Sequence, residues 1–184
     1  MRKIKTYLPL FLIPTLTACF PVSEEAYLPT VTEGRTYQTR CGVVGPNSGV
    51  EFQFDTVKVQ VQQGGTLVEL LVPAEKVAQF ESEVGILSSP ASPLPIQLKA
   101  MGTTVYLPGA KTSTKVKTLA PMAGGVASKT MHYLRYSTRF GTGQKLPDEF
   151  DLTLPSVKIN EVVFPIPKIH YKRQRITSMM PINC

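Results

Sequence analysis

The chain has 184 residues, with 20 Lys and Arg against 13 Asp and Glu for a formal net charge of +7, two histidines and three cysteines. That length suits one domain with its own core, and the charge is too small and too scattered for a nucleic-acid footprint. The cysteines lie far apart and the histidines, His132 and His170, match no ligand spacing, so neither a metal nor another cofactor is expected.

In chain order, Arg2, Lys3 and Lys5 form a positive leader, followed by a short apolar stretch from Tyr7 to Leu16 that contains Pro9 and Pro14. A stretch of roughly ten residues is half of what a helix needs to cross a bilayer, so it reads as a targeting segment. Leu16, Thr17, Ala18 and Cys19 come next. This run resembles the lipobox of bacterial lipoproteins: a branched residue, two small residues and a cysteine. The resemblance covers residues 1–19 and implies cleavage before Cys19, a diacylglycerol on its thiol and a palmitate-type acyl chain on the new amine. Two or three chains make a lasting membrane anchor, because each buried methylene contributes about 0.8 kcal/mol. Phe20 stands where an aspartate would resemble an inner-membrane retention signal, which implies an outer-membrane location facing the periplasm, with surface exposure as the variant.

Removing residues 1–18 takes three positive charges with it and leaves a mildly basic chain, suited to anionic headgroups or an acidic protein. Two thiols remain, Cys41 and Cys184, and an oxidising compartment favours a bridge between them. In the chain-entropy model such a long loop is worth about 5 kcal/mol. A free thiol or an intermolecular disulfide at Cys184 is the alternative.

Residues 19–34, with Pro21, Glu24, Glu25, Pro29 and Gly34, read as the lipidated N-terminus and a tether. By coil scaling it would hold a domain spanning 35–184 roughly 20 Å from the bilayer. Period-two patterning follows. Val50, Phe52 and Phe54 alternate with polar residues, then Val57, Val59 and Val61 do so on the opposite parity, which predicts a bulge or bend near Asp55-Thr56. Gly64-Gly65 signals a hairpin returning through Thr66–Val72. Pro73 to Val84 predicts the single short helix, with Val77, Phe80 and Val84 on one face and Gly85 ending it.

Residues 88–95 form a Ser/Pro loop, and strands are expected at Ile96–Ala100 and Thr103–Leu107. Residues 108–128, carrying Lys111, Lys115 and Lys117, read either as a long solvated loop or as a flap facing a ligand. Strands resume at Met131–Ser137, Phe150–Leu154, Val157–Ile159 and Val162–Ile176. Pro165 and Pro167 place the last of these at a sheet edge. Regular short strands with turn signals predict a mainly β, antiparallel sandwich or barrel-like domain.

Catalytic signatures are few. No Gly-x-Ser-x-Gly elbow, P-loop or dinucleotide fingerprint occurs. Asp148, Glu149 and Asp151 cluster, but alternation about Phe150 and Leu152 places them on the solvent side of a strand. His132 or His170 could meet Asp151 and a serine only through the fold. An enzyme is therefore not expected, and a hydrolase built on Asp151 and His170 is only the weaker alternative to the roles below. The main surface feature is basic: Lys168, His170, Lys172, Arg173 and Arg175, interleaved with Ile169 and Tyr171. It reads as a partner-binding face or as a charged, protected edge strand.

Two roles fit. One is a non-catalytic protein-binding or inhibitory, immunity-like lipoprotein whose 108–128 segment enters a partner's cleft. The other is a pilotin-like assembly component of an envelope-spanning machine that pairs through residues 162–176.

Overall fold

The computed structural model describes residues 19–39, 45–73, 75–106, 113–116 and 133–181. In chain order the strands are β1 (Cys19–Thr30), β2 (Arg35–Tyr37), β3 (Gly49–Phe54), β4 (Val57–Gln62), β5 (Leu67–Pro73), β6 (Ala78–Phe80) and β7 (Val84–Ser88). They continue with β8 (Ile96–Tyr106), β9 (Ser113–Val116), β10 (Tyr133–Gly141), β11 (Glu149–Thr153), β12 (Val157–Ile159), β13 (Val162–Phe164) and β14 (Ile169–Pro181). The main sheet runs β1-β14-β11-β7-β8-β10-β5-β4-β3-β2, with β9 also on β8, and every pairing is antiparallel. It curls into a nearly closed, barrel-like form, as the period-two pattern predicts. A second sheet, β13-β12-β6, packs on the first: Phe80 lies edge-on to Phe140 at 5.9 Å, and Phe164 stacks on Phe54 at 5.6 Å.

Alternation builds the core. Val50, Phe52, Val57, Val59, Val61, Val68, Leu70 and Val72 are all buried. They meet across strands as Val50 with Val61, Phe52 with Val59, Val61 with Val68 and Val59 with Leu70. Full burial of each such side chain contributes about 1.5–3 kcal/mol before chain entropy is subtracted. The parity switch after Phe54 is a tight hairpin between β3 and β4, not a bulge within one strand. Asp55 takes φ +54° there, a left-handed conformation that Asp tolerates. The Gly64-Gly65 hairpin forms as expected, through a 3-10 turn over Gln63–Gly65. Gly65, at φ +85°, lies against Leu152 of β11 with no room for a Cβ.

Several expectations are corrected. Residues 73–84 form no helix: β5 ends at Pro73, Ala78–Phe80 pairs with β12, and β7 starts at Val84. Ala78 and Phe80 are buried whereas Val77 is 45% exposed, so pairing with β12 imposed period two on a segment too short for its own propensity to decide. Residues 19–30 are no tether, because all of β1 is laddered to β14, from Cys19 opposite Pro181 to Thr30 opposite His170. Ile96–Tyr106 is one strand with a register shift on its β10 side. The segment 108–128 holds a strand, β9, hairpinned to β8; Lys111 and Lys117 lie outside the described residues. So do Cys41, Cys184 and His132, and with them the expected disulfide.

The stretch expected as a single strand over Val162–Ile176 is two, broken at residues 165–168 where Pro165 and Pro167 stand. Its first piece, β13, is an end strand of the second sheet as expected, but its charged piece is no edge over His170–Lys172, where β14 is flanked by β1 and β11.

Candidate functional site

Antiparallel pairing brings Lys168, His170 and Lys172 of the basic run onto one surface with Glu149 and Asp151, while Arg173, Arg175 and Asp148 take the parity of the buried Tyr171 and Phe150 at the rim of the other face. Phe150, Leu152, Ile169 and Tyr171 are buried, so the alternate positions of β11 and β14 face outward. Asp151 stands opposite His170 and Glu149 opposite Lys172. His170 Nδ1 lies 2.9 Å from Asp151 Oδ1 and its Nε2 lies 3.5 Å from Glu149 Oε1. Lys168 approaches Asp151 at 3.7 Å and Lys172 approaches Glu149 at 3.6 Å. Arg173 pairs with Asp148 and, at 3.1 Å, with Glu25 of β1, while Arg175 Nε donates to Ser23 Oγ at 3.0 Å. The basic run is therefore met by four carboxylates and is not an open cationic face. Exposed pairs of this kind hold register more than they stabilise.

A cleft of about 280 Å³ beside this surface is lined by Ser88, Ser89, Pro90, Phe150, Asp151 and His170, so the fold does join His170, Asp151 and serines. Their order is wrong for acyl transfer, which needs the imidazole between carboxylate and hydroxyl. Ser88 faces Asp151 and Asp151 faces His170, leaving the carboxylate in the middle. The far nitrogen of His170 meets Glu149, and Ser89 Oγ donates to the Glu149 carbonyl at 2.7 Å. Among the described residues no cluster of three or more His, Cys, Asp or Glu could hold a metal.

A second charged row crosses the opposite half of the sheet: Arg35, Glu51, Gln60 and Glu69 are successive cross-strand partners on β2 to β5. Glu51, only 7% exposed, meets Arg35 at 2.8 Å, Lys58 at 3.7 Å and the Gln60 amide at 2.7 Å. Burial pushes its carboxyl up, but the Gln60 hydrogen bond and the charges of Lys58 and Arg35 outweigh burial and hold it below its ordinary value. The row continues in register through Ser137 and Thr104 to Lys115.

β1 and β2 are the two ends of the main sheet, and a seam runs between β1 and the residues next to the C-terminal end of β2. Tyr27 closes one end of it: its ring lies where a Cβ on Gly64 would meet it at 3.0 Å, and its hydroxyl donates to the Leu146 carbonyl at 3.0 Å. Beside it lies a cavity of about 320 Å³ lined from β1 by Glu24–Tyr27 and from across the seam by Gln38, Thr39, Pro46 and Ser48. Volumes of this size lie at the lower end of those that take ligands.

Which backbone groups of β1 face the seam follows from its prolines. Pro21, Pro29 and the opposing Pro181 have no N–H, so the ladder to β14 must use the even-numbered residues of β1. The other side of β14 agrees, since odd-numbered Arg173 gives its N–H to the Asp148 carbonyl at 2.6 Å. Ser23, Glu25 and Tyr27 therefore turn their N–H and C=O groups to the seam, between two prolines that offer no donor there. Sequence reading missed this edge. Its signal was the spacing of Pro21 and Pro29 on one parity around Val22, Ser23 and Tyr27.

Comparison of the chain with protein-family models, with curated proteins and with solved structures finds no match.

Proposed function

We propose that this chain is a lipid-anchored envelope lipoprotein, held through Cys19 to the outer membrane and facing the periplasm. Its β-domain acts by binding another protein, as an inhibitory or immunity-like module, and not by catalysis. The anchor rests on the run Leu16-Thr17-Ala18-Cys19 behind a basic, apolar leader. The observation that carries the binding reading is the order Ser88, Asp151, His170 across β7, β11 and β14. It supports a surface whose ionisable groups answer one another, with specificity left to edges and loops. The assembly alternative was tied to a free edge at residues 162–176: β13 is an end strand of the second sheet, whereas β14 is flanked on both sides over His170–Lys172.

The test is affinity capture from envelope extract with the lipidated protein as bait, together with its intact mass. A stoichiometric protein partner, retained by an Asp151→Ala, His170→Ala double variant, is the expected result, with a mass showing acylated Cys19. An unmodified Cys19 would remove the anchor. A hydrolytic activity abolished by the double variant would replace the binding reading with an enzymatic one.

A further inference from the structure

Resting on the binding reading above, we infer that the seam along β1 is the partner's docking slot, and that its occupant is an extended, basic segment of another polypeptide. The segment would add to β1 as a strand between Pro21 and Pro29.

Of the three outward backbone pairs, those of Glu25 and Tyr27 border a cavity of about 320 Å³, and that of Ser23 continues the same edge beyond it. Strand addition draws affinity from such main-chain groups and specificity from alternate side-chain positions. The edge of β2 is closed to the same use. Asn47 Nδ2 donates to Thr36 Oγ1 at 3.0 Å and reaches the Thr36 carbonyl at 3.4 Å. An incoming strand therefore finds one ladder, on β1, and polar side chains such as Gln38 and Thr39 opposite.

Charge selects the occupant. The described lining contributes the carboxylates of Glu24 and Glu25 and no Lys or Arg. Glu25 pairs with Arg173 through Oε2 but remains 66% exposed, so a Lys or Arg directly opposite it on an added strand would find a carboxylate within reach. A second copy of this chain is a poor occupant. A two-fold pairing of β1 with β1 about the middle of the window sets Glu25 against Glu25, and like charges directly opposite destabilise a strand pair.

The prolines that define the slot also supply its test. A Glu25→Pro substitution repeats the spacing of Pro21 and Pro29 and removes an outward N–H while sparing the β14 ladder. Glu25→Gln removes the charge and keeps the N–H. The full-length protein in detergent micelles is titrated with a short blocked peptide alternating lysine and valine, with its glutamate-valine counterpart, and with a lysine-valine peptide N-methylated at alternate residues. Amide hydrogen exchange at Ser23, Glu25 and Tyr27 is the readout.

Slowed exchange at these three amides with the lysine peptide is expected, weakened about fivefold by Glu25→Gln and abolished by Glu25→Pro or N-methylation. Unchanged exchange at millimolar peptide, or equal binding of the glutamate peptide, overturns the proposal. So does a dimer in sedimentation that Glu25→Pro dissolves, because the edge would then serve a second copy. Envelope capture separates the two readings: a partner held equally by wild type and Glu25→Pro removes the slot and leaves the binding function, whereas a wild type that captures nothing removes the function itself.

Discussion

Tyr171 lies wholly inside the barrel, yet its hydroxyl finds no hydrogen-bond partner among the described residues. Leaving such a group unsatisfied costs about 1–3 kcal/mol. Tyr171→Phe should therefore raise stability by about 1 kcal/mol in urea unfolding at neutral pH, and a loss instead would place a bound water or ligand on the hydroxyl. Burial also raises this phenol and that of Tyr37 above their ordinary 10.0, Tyr37 to about 12 with the Gln62 side chain opposing. A folded value above the unfolded one means that the stability is complete below pH 10 and is lost as pH rises through the folded values. Tyr171→Phe should accordingly flatten the alkaline limb of stability against pH.

Glu51 carries the opposite sign. Its folded value lies below the ordinary 4.5, so its contribution is complete above that pH and disappears as pH falls through the folded value. Stability measured from pH 6 downward should drop less steeply in Glu51→Gln than in wild type. Equal slopes would show that the Arg35–Glu51–Gln60 row carries no net pairing energy in solution.

At the scale of elements, β1 shows how a proline-containing segment can be sheet and not linker. Residues 19–34 were read as a tether because two prolines and two glutamates obscure the alternation. On an edge strand those residues are tolerated, since a proline's missing N–H costs nothing when it points away from the ladder. The parity rule predicts a contrast between neighbours. Ala26→Pro removes a ladder donor to β14 and should destabilise by about 3 kcal/mol in thermal or urea unfolding, while Glu25→Pro should change stability by less than about 1 kcal/mol. Equal penalties would overturn the assignment of the open edge.

The failed helix at 73–84 has the same origin in reverse. Phe80 satisfies both a helical and a strand period, and the choice rested on β12, a strand about eighty residues away in sequence. The turns at Asp55-Thr56 and Asn160-Glu161 are local and left a trace in the sequence, although the parity switch at the first reads as a bulge or bend and the structure makes it a hairpin. Positive φ at both Asn160 and Glu161 is the geometry of a tight turn whose twist matches its strands.

For the whole molecule, folding of β1 into the sheet alters the consequence of the proposed anchor. With Cys19 as the first residue of β1, opposite Pro181 of β14, lipid on that cysteine would bring the sheet to the membrane surface with no spacer between. The seam would lie on the strand that leads from the bilayer, and a partner reaching it would be near the membrane as well. The expected Cys41–Cys184 bridge belongs to this scale too. Thiol titration of the exported, denatured protein should find neither free, and reduction should lower stability by several kcal/mol, up to about 5. Two free thiols would end that expectation.

The sequence by itself determined the class of fold and is the sole ground for the proposed address. Period-two burial is a local property of each strand, and a leader followed by a small-residue cysteine site is read as a linear signal. It also placed Glu149 and Asp151 on the outer side of a strand, because side chains alternate whatever the strand pairs with; Asp148, just before β11, shares the parity of buried Phe150 and Leu152. Only the tertiary structure decided that Asp151 would stand between Ser88 and His170, that four carboxylates would meet the basic run, and that β1 would close against β14 with no further strand on its other edge among the described residues. Each of these depends on which distant strands become neighbours, and that choice follows from burying the whole apolar set at once.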